Sequence, residues 1–195
     1  MLKSVRLVLA VLVTCLAAAT GLSLTYAVTA PRIAEQDRLA EERSLQAVLP
    51  TADDFEMMED STLLEASVAA AEPADLGAVY RASEGGVQTG WAIKLASRGY
   101  GGPMHLVIGL DTSGLVTGVS ILSMNETPGL GTKVLTEKWF LELFTTLPAE
   151  FGDADVRALD SISGSTRSAN GIRNGVAAAG RVHAAALAGR EGGAQ

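Results

Sequence analysis

From Leu7 to Ala30 the chain carries no charged side chain, and this run limits the possible folds more than any other feature. Coiled as a helix it is roughly 36 Å long, enough to cross a hydrocarbon core of about 30 Å with some tilt. Its flanks differ. Lys3 and Arg6 precede it with no acidic residue, whereas Arg32, Glu35, Asp37 and Arg38 follow it as a mixture. Basic residues favour the cytoplasmic side, so the expected topology is a single pass through a bacterial inner membrane, with the C-terminal domain on the periplasmic or outer side. Ala17-Ala18-Ala19 looks like a small-residue cleavage site, but the apolar run continues well past it. That length favours an uncleaved anchor over a signal peptide.

Two of the 15 Lys and Arg residues precede the run, so the remainder has a net charge of −9, against −7 for the whole chain. Such an acidic domain has nothing to neutralise a row of phosphates, which argues against nucleic acid as a partner. The only cysteine, Cys15, lies inside the apolar run. Disulfides, thiolate metal sites, cysteine-ligated iron–sulfur clusters and a cysteine nucleophile are therefore excluded beyond residue 30. Two histidines, His105 and His183, are too few for a multi-histidine metal site, and neither has a carboxylate at a telling spacing. No catalytic or metal-ligating residue is assigned, so a redox role needs an organic cofactor.

Pro31 is expected to end the membrane helix, and Ile33 to Val48 reads as a charged, membrane-proximal helix stopped at Pro50. Residues 53–73 are acidic and alanine-rich and read as helix or loop. The expected division is 1–30 for the cytoplasmic N-terminus and anchor, 31–73 for a membrane-proximal helical segment, and 74–195 for the main domain. In that domain Val79-Tyr80-Arg81 and Trp91 to Leu95 look like paired strands around a Gly85-Gly86 turn. Met104 to Leu110 and Leu115 to Ser123 form a second hairpin across Asp111-Thr112-Ser113-Gly114. An amphipathic helix over Lys133 to Phe144 would cover the sheet. Leu159 to Ser163 reads as one more short strand. A terminal helix then carries Ile172, Val176, Ala179, His183 and Leu187 on one stripe, weakened by Gly171, Gly175 and Gly180. The fold class is α+β: an N-terminal transmembrane helix followed by a small antiparallel sheet packed with helices.

Two short motifs carry chemistry. In Ser163-Gly164-Ser165-Thr166 a hydroxyl stands at the mouth of the terminal helix, where a phosphodiester would face the positive end of the helix dipole. An ordinary serine or threonine N-cap explains the same residues. In Glu126-Thr127-Pro128-Gly129-Leu130-Gly131 a Pro-Gly turn and a second glycine would let backbone approach a flat ligand, or simply join a strand to a helix.

Taken with Gly99-Tyr100-Gly101-Gly102, the hairpin at 106–118, Thr132-Lys133 and Ser44 to Pro50, these motifs resemble in order and spacing the G subunit of Rnf ion-translocating electron-transport complexes. The similarity covers most of the chain. It implies an FMN-binding domain whose FMN is esterified through its phosphate to Thr166 by a separate flavin transferase that uses FAD and magnesium. Ser165 stands where the family usually has alanine, which adds a hydroxyl beside the acceptor. The resemblance further implies that Ser163, Gly164, Ser165, Glu126, Thr127, Gly129, Leu130 and Gly131 line the flavin or its phosphate. Tyr100 is placed either near the ring or in hairpin packing. The implied function is a membrane-anchored electron carrier within an ion-translocating ferredoxin:NAD oxidoreductase, with the other subunits of that complex as partners. Two alternatives stand beside it: the C subunit of the sodium-translocating NADH:quinone reductase, which shares the FMN domain, and a membrane-anchored assembly or sensory domain without flavin.

Overall fold

The computed structural model describes residues 2–126, 131–148 and 151–190. Two units divide the chain at Glu41/Glu42. The first consists of the opening helix α1, Leu2–Val48, up to Glu41. Its apolar residues are exposed from Val5 through Val28 and it is long and apolar enough to cross a membrane. Pro31 does not end this helix. It withholds only one amide hydrogen, so a single backbone bond is lost while the ladder resumes on either side. The apolar run stops instead at Arg32, where charge begins.

The second unit is α+β. Five strands form one antiparallel meander in chain order: β1 Asp54–Met57, β2 Asp75–Glu84, β3 Val87–Arg98, β4 Pro103–Asp111 and β5 Val116–Met124. The β2–β3 hairpin turns on Gly85 and Gly86, both at positive φ (58° and 82°), the pair of conformations a tight type I′ connection requires. Alternation along β3 and β4 sends Trp91, Ile93 and Leu95, and Met104, Leu106, Ile108 and Leu110, into one core. That face is covered by α2, Ser61–Ala71, and by α6, Thr166–Val182, which continues through a π-helical turn at His183–Leu187. Gly175 does not act merely as a weak point in α6. A Cβ there would lie 2.5 Å from Leu106 Cδ1, so its absence lets the helix settle directly on the sheet.

The opposite face of the sheet holds a smaller core of Ala82, Ala92 and Val107 with Leu45, Val48 and Leu49 from the end of α1 and the turn after it. Two glycines make this seat. Gly109 and Gly118 are cross-strand partners on β4 and β5, and a Cβ on Gly109 would stand 2.6 Å from the Val48 carbonyl oxygen. The same carbonyl accepts a hydrogen bond from Thr117 Oγ1 at 2.6 Å.

Residues 42–73 therefore contribute to the folded unit, with β1 an edge strand within the stretch read as helix or loop. Its ladder bonds to β2 outweigh the weak strand preference of Asp54 and Glu56. The helix expected over 133–144 is broken into α3, Lys133–Thr136, α4, Lys138–Glu142, and a 3₁₀ turn over Leu143–Thr146. Val134 and Phe140 are both buried, yet on one continuous helix they would point roughly 120° apart. The break at Glu137 (φ −87°, ψ 76°) lets both face the core, where Phe140 meets Phe144 edge to face at 5.3 Å. No strand forms over 159–163. After α5, Asp153–Ala158, the Leu159 carbonyl accepts from Arg173 Nη2 and the Ile162 carbonyl from Ser165 N–H, so these acceptors have local donors in place of a ladder.

Candidate functional site

Ser163 and Gly164 are the central pair of a turn closed by the Ser165 N–H donating to the Ile162 carbonyl at 3.1 Å. Gly164 has φ +80°, the left-handed value that the third position of a type II turn demands. The turn delivers the chain into α6, whose first intrahelical bond runs from Ala169 N–H to the Ser165 carbonyl at 2.9 Å. The amides of Thr166, Arg167 and Ser168 precede it, and helix geometry gives such amides no partner within their own helix. Their dipoles favour negative charge there.

A cavity of about 360 Å³ opens at this helix end, lined by Tyr100, Gly131, Gly164, Ser165, Thr166, Arg167 and Ser168. Its size falls within the roughly 300–1,000 Å³ of small-molecule sites. The hydroxyl-bearing residues differ in access: Thr166 and Ser163 are exposed, whereas Ser165 is 4% and Ser168 1% exposed. Of the residues expected to line the ligand, Ser165, Gly164, Thr166 and Gly131 meet at this cavity, and Ser163 sits in the turn beside it.

Glu126 plays a supporting part. Its Oε1 accepts the Tyr100 N–H at 2.8 Å, tying the 99–102 connection to the end of β5. Its carboxylate also packs so closely behind Gly131 that a side chain at that position would collide with it. The other oxygen, Oε2, is buried with no hydrogen-bond partner among the described residues. Thr127, Gly129 and Leu130 lie outside the described residues.

Arg167 and Lys133 were not assigned to the site from sequence, and Tyr100 was placed either near the ring or in hairpin packing. Tyr100 is 62% exposed rather than packed inside the hairpin, and the Arg167 guanidinium lies over its ring at 5.8 Å from the centroid. Lys133, first residue of α3, brings its ammonium to 3.5 Å from where a Cβ on Gly164 would stand. Adjacency to the two motifs was the available signal: Lys133 follows Gly131 by two positions and Arg167 follows Thr166 directly.

Residues 99–180 match the family model of the FMN-binding domain. The chain is 35% identical over 119 residues to the G subunit of the Na(+)-translocating ferredoxin:NAD(+) oxidoreductase complex of Acetobacterium woodii, an alignment covering 60% of this chain and 58% of that protein. It is 35% identical over 139 residues to the G subunit of the ion-translocating oxidoreductase complex of Aliivibrio fischeri, covering 68% and 63%. To the protein of the same name from Stutzerimonas stutzeri it is 34% identical over 175 residues, 83% of this chain and 73% of the relative. The chain belongs to this family of G subunits.

The similarity spans less than two thirds of the first two relatives. It includes the motifs that build the cavity, since the domain match begins at Gly99 and extends into α6. With family membership, the apolar α1 makes this a single-pass inner-membrane protein. The residues fit a flavin mononucleotide: a helix N-terminus and two cations suit its phosphate, Tyr100 offers an aromatic face, and Gly131 leaves room on the wall.

Proposed function

We propose that this chain is the membrane-anchored flavoprotein subunit of an ion-translocating ferredoxin:NAD oxidoreductase, carrying FMN esterified to Thr166. One observation carries the attachment: in a cavity at the N-terminus of α6, Thr166 is exposed while the neighbouring Ser165 is buried. Access thus favours Thr166 over the adjacent hydroxyl as acceptor. Attachment forms a bond from Thr166 Oγ to the flavin-side phosphorus of FAD and breaks the pyrophosphate bond, releasing AMP and the hydroxyl proton. The flavin, when bound, supplies one- and two-electron chemistry. The chain's residues then have the task of holding it: the first amides of α6 receive the phosphate, Gly131 leaves space, and Glu126 steadies the 99–102 connection.

The partners of this reading are the other subunits of the membrane complex and a flavin transferase for maturation. The name of the Acetobacterium woodii relative, which gives ferredoxin and NAD(+), supports the ferredoxin-linked complex over the quinone reductase alternative. The basic N-terminus supports a location of the domain on the outer side of the membrane. Coexpression with the transferase, followed by in-gel flavin fluorescence and intact mass, tests the attachment. Wild type is expected to gain one FMN phosphoryl group and Thr166→Ala none. Covalent flavin persisting in the alanine variant refutes Thr166 as the sole acceptor.

A further inference from the structure

We infer that Lys133 and Arg167 form a two-cation clamp on the flavin phosphate, holding it against Thr166 before and after the ester forms. This deepens the Thr166 reading and rests on it. The two side chains reach the same turn from separate parts of the chain: Lys133 from the start of α3, beside Gly164, and Arg167 from the first turn of α6, over Tyr100. Arg167 lines the cavity, as does the Gly164 that Lys133 approaches.

Their convergence on one turn is the informative point, because among the described residues Arg98, Lys138 and Arg173 also lack a carboxylate partner but do not line this cavity. Arg38, Arg81, Arg157, Arg181 and Arg190 each stand within ion-pair distance of an acidic side chain. Among the described residues Lys133 and Arg167 have no such pair, although acidic residues outnumber basic ones by 22 to 15. Two cations converging on the turn that presents Thr166, neither neutralised by a carboxylate, are complementary to an anion. A phosphodiester would bring one negative charge to the two positive ones of Lys133 and Arg167.

Gly164 gives the clamp its geometry. Its positive φ makes the turn, and the Lys133 ammonium lies beside it, 3.5 Å from where a Cβ would stand. Tyr100 holds the guanidinium of Arg167 by its ring face while leaving the N–H groups at the plane's edge to donate. The clamp therefore recognises the phosphate and is indifferent to the isoalloxazine ring.

The test compares ligands that differ only in that phosphate. Full-length Thr166→Ala protein in detergent is titrated with FMN and with riboflavin, following flavin fluorescence. FMN is expected to bind about tenfold more tightly or better, the range of one or more charge-assisted hydrogen bonds. Adding Lys133→Met or Arg167→Met is expected to erase most of that preference while riboflavin affinity stays constant, and Lys133→Arg to retain it. Equal affinity for FMN and riboflavin in the parent, or equal weakening of both by the methionine changes, overturns the clamp. In parallel, the initial rate of transferase-catalysed esterification at low FAD is measured on the chain with Thr166 intact. Lys133→Met is expected to slow it about tenfold, with recovery in Lys133→Arg; an unchanged rate overturns the clamp. Flavin attached to Thr166→Ala in that assay would instead refute the attachment reading, so the two failures are distinguishable.

Discussion

Substituting Gly109 with alanine isolates the contact that joins the end of α1 to the sheet. On propensity alone the change favours the fold, because glycine in a strand interior is worse than alanine by about 0.5–1 kcal/mol. The structure reverses that sign. The added Cβ would stand 2.5 Å from Thr117 Oγ1, 2.6 Å from the Val48 carbonyl oxygen and 2.9 Å from Val48 Cβ, where ordinary contacts need about 3.5–4.0 Å. Two of those atoms form the Thr117–Val48 hydrogen bond, and Val48 is only 1% exposed. Overpacking costs about 1–3 kcal/mol and the broken bond, with its carbonyl left unpaired, a further 1–3 kcal/mol. After the propensity gain the net loss is about 1–5.5 kcal/mol. For a chain of this size that lowers Tm by roughly 2–22 °C, at 2–4 °C per kcal/mol. The assay is thermal unfolding of the full chain in detergent, followed by the fluorescence of Trp91, which is buried in the sheet. Thr117→Ala removes the hydroxyl but leaves the seat, so it is expected to cost less. The double variant is expected to lose less than the sum of the singles, because both remove the same hydrogen bond. A Gly109→Ala protein as stable as wild type, or more so, would refute the close-seat argument.

Other perturbations probe different joints. Asp60 caps α2, and the N–H groups of Leu63 and Thr62 hold its carboxyl below the ordinary value of 3.8. A depressed folded-state pKa means the stabilisation is present above the unfolded value and is lost as pH falls through the folded one. Asp60→Asn, which keeps the cap, is expected to flatten the stability profile below pH 4; a profile identical to wild type in acid-melting experiments would contradict this. Arg181 donates to the carbonyls of Ala70, Ala71 and Glu72 at the end of α2 and to Asp153. Arg181→Met is expected to cost about 2–3 kcal/mol in urea unfolding, a partly exposed group giving less than the sum of its bonds. Gly131→Ala drives a side chain into the Glu126 carboxylate and is expected to lower flavin incorporation, with in-gel fluorescence as the readout. Adding Glu126→Ala is expected to restore part of it; no difference between single and double variants would show that the collision is not the cause.

Much of the sheet was legible because its signals are local. Alternation in Met104 to Leu110 is a property of neighbouring residues, and it survives folding because one face must be buried. Gly85-Gly86 announces its turn by backbone freedom that other residues lack. The edge strand β1 was less legible, since Asp54-Phe55-Glu56-Met57 is short, acidic and mostly exposed, and its extended form depends on pairing with β2. The break at Glu137 was hidden for a related reason. A helical pattern over 133–144 does not reveal that Val134 and Phe140 must reach one core.

By itself the sequence determined the apolar span, the antiparallel class of the sheet, the lack of thiol chemistry beyond Cys15, and the two motifs proposed to hold the flavin. Each follows from composition or from spacing within a few residues, where chain geometry allows little else. Tertiary structure decided which hydroxyl is exposed, which glycines seat α1 and α6 against the sheet, and that Lys133, Arg167 and Tyr100 gather around Gly164 and Thr166. Those are contacts between segments distant in the chain. They arise only when burial of the shared core brings β3–β4, α3 and α6 together, a condition that no local pattern encodes.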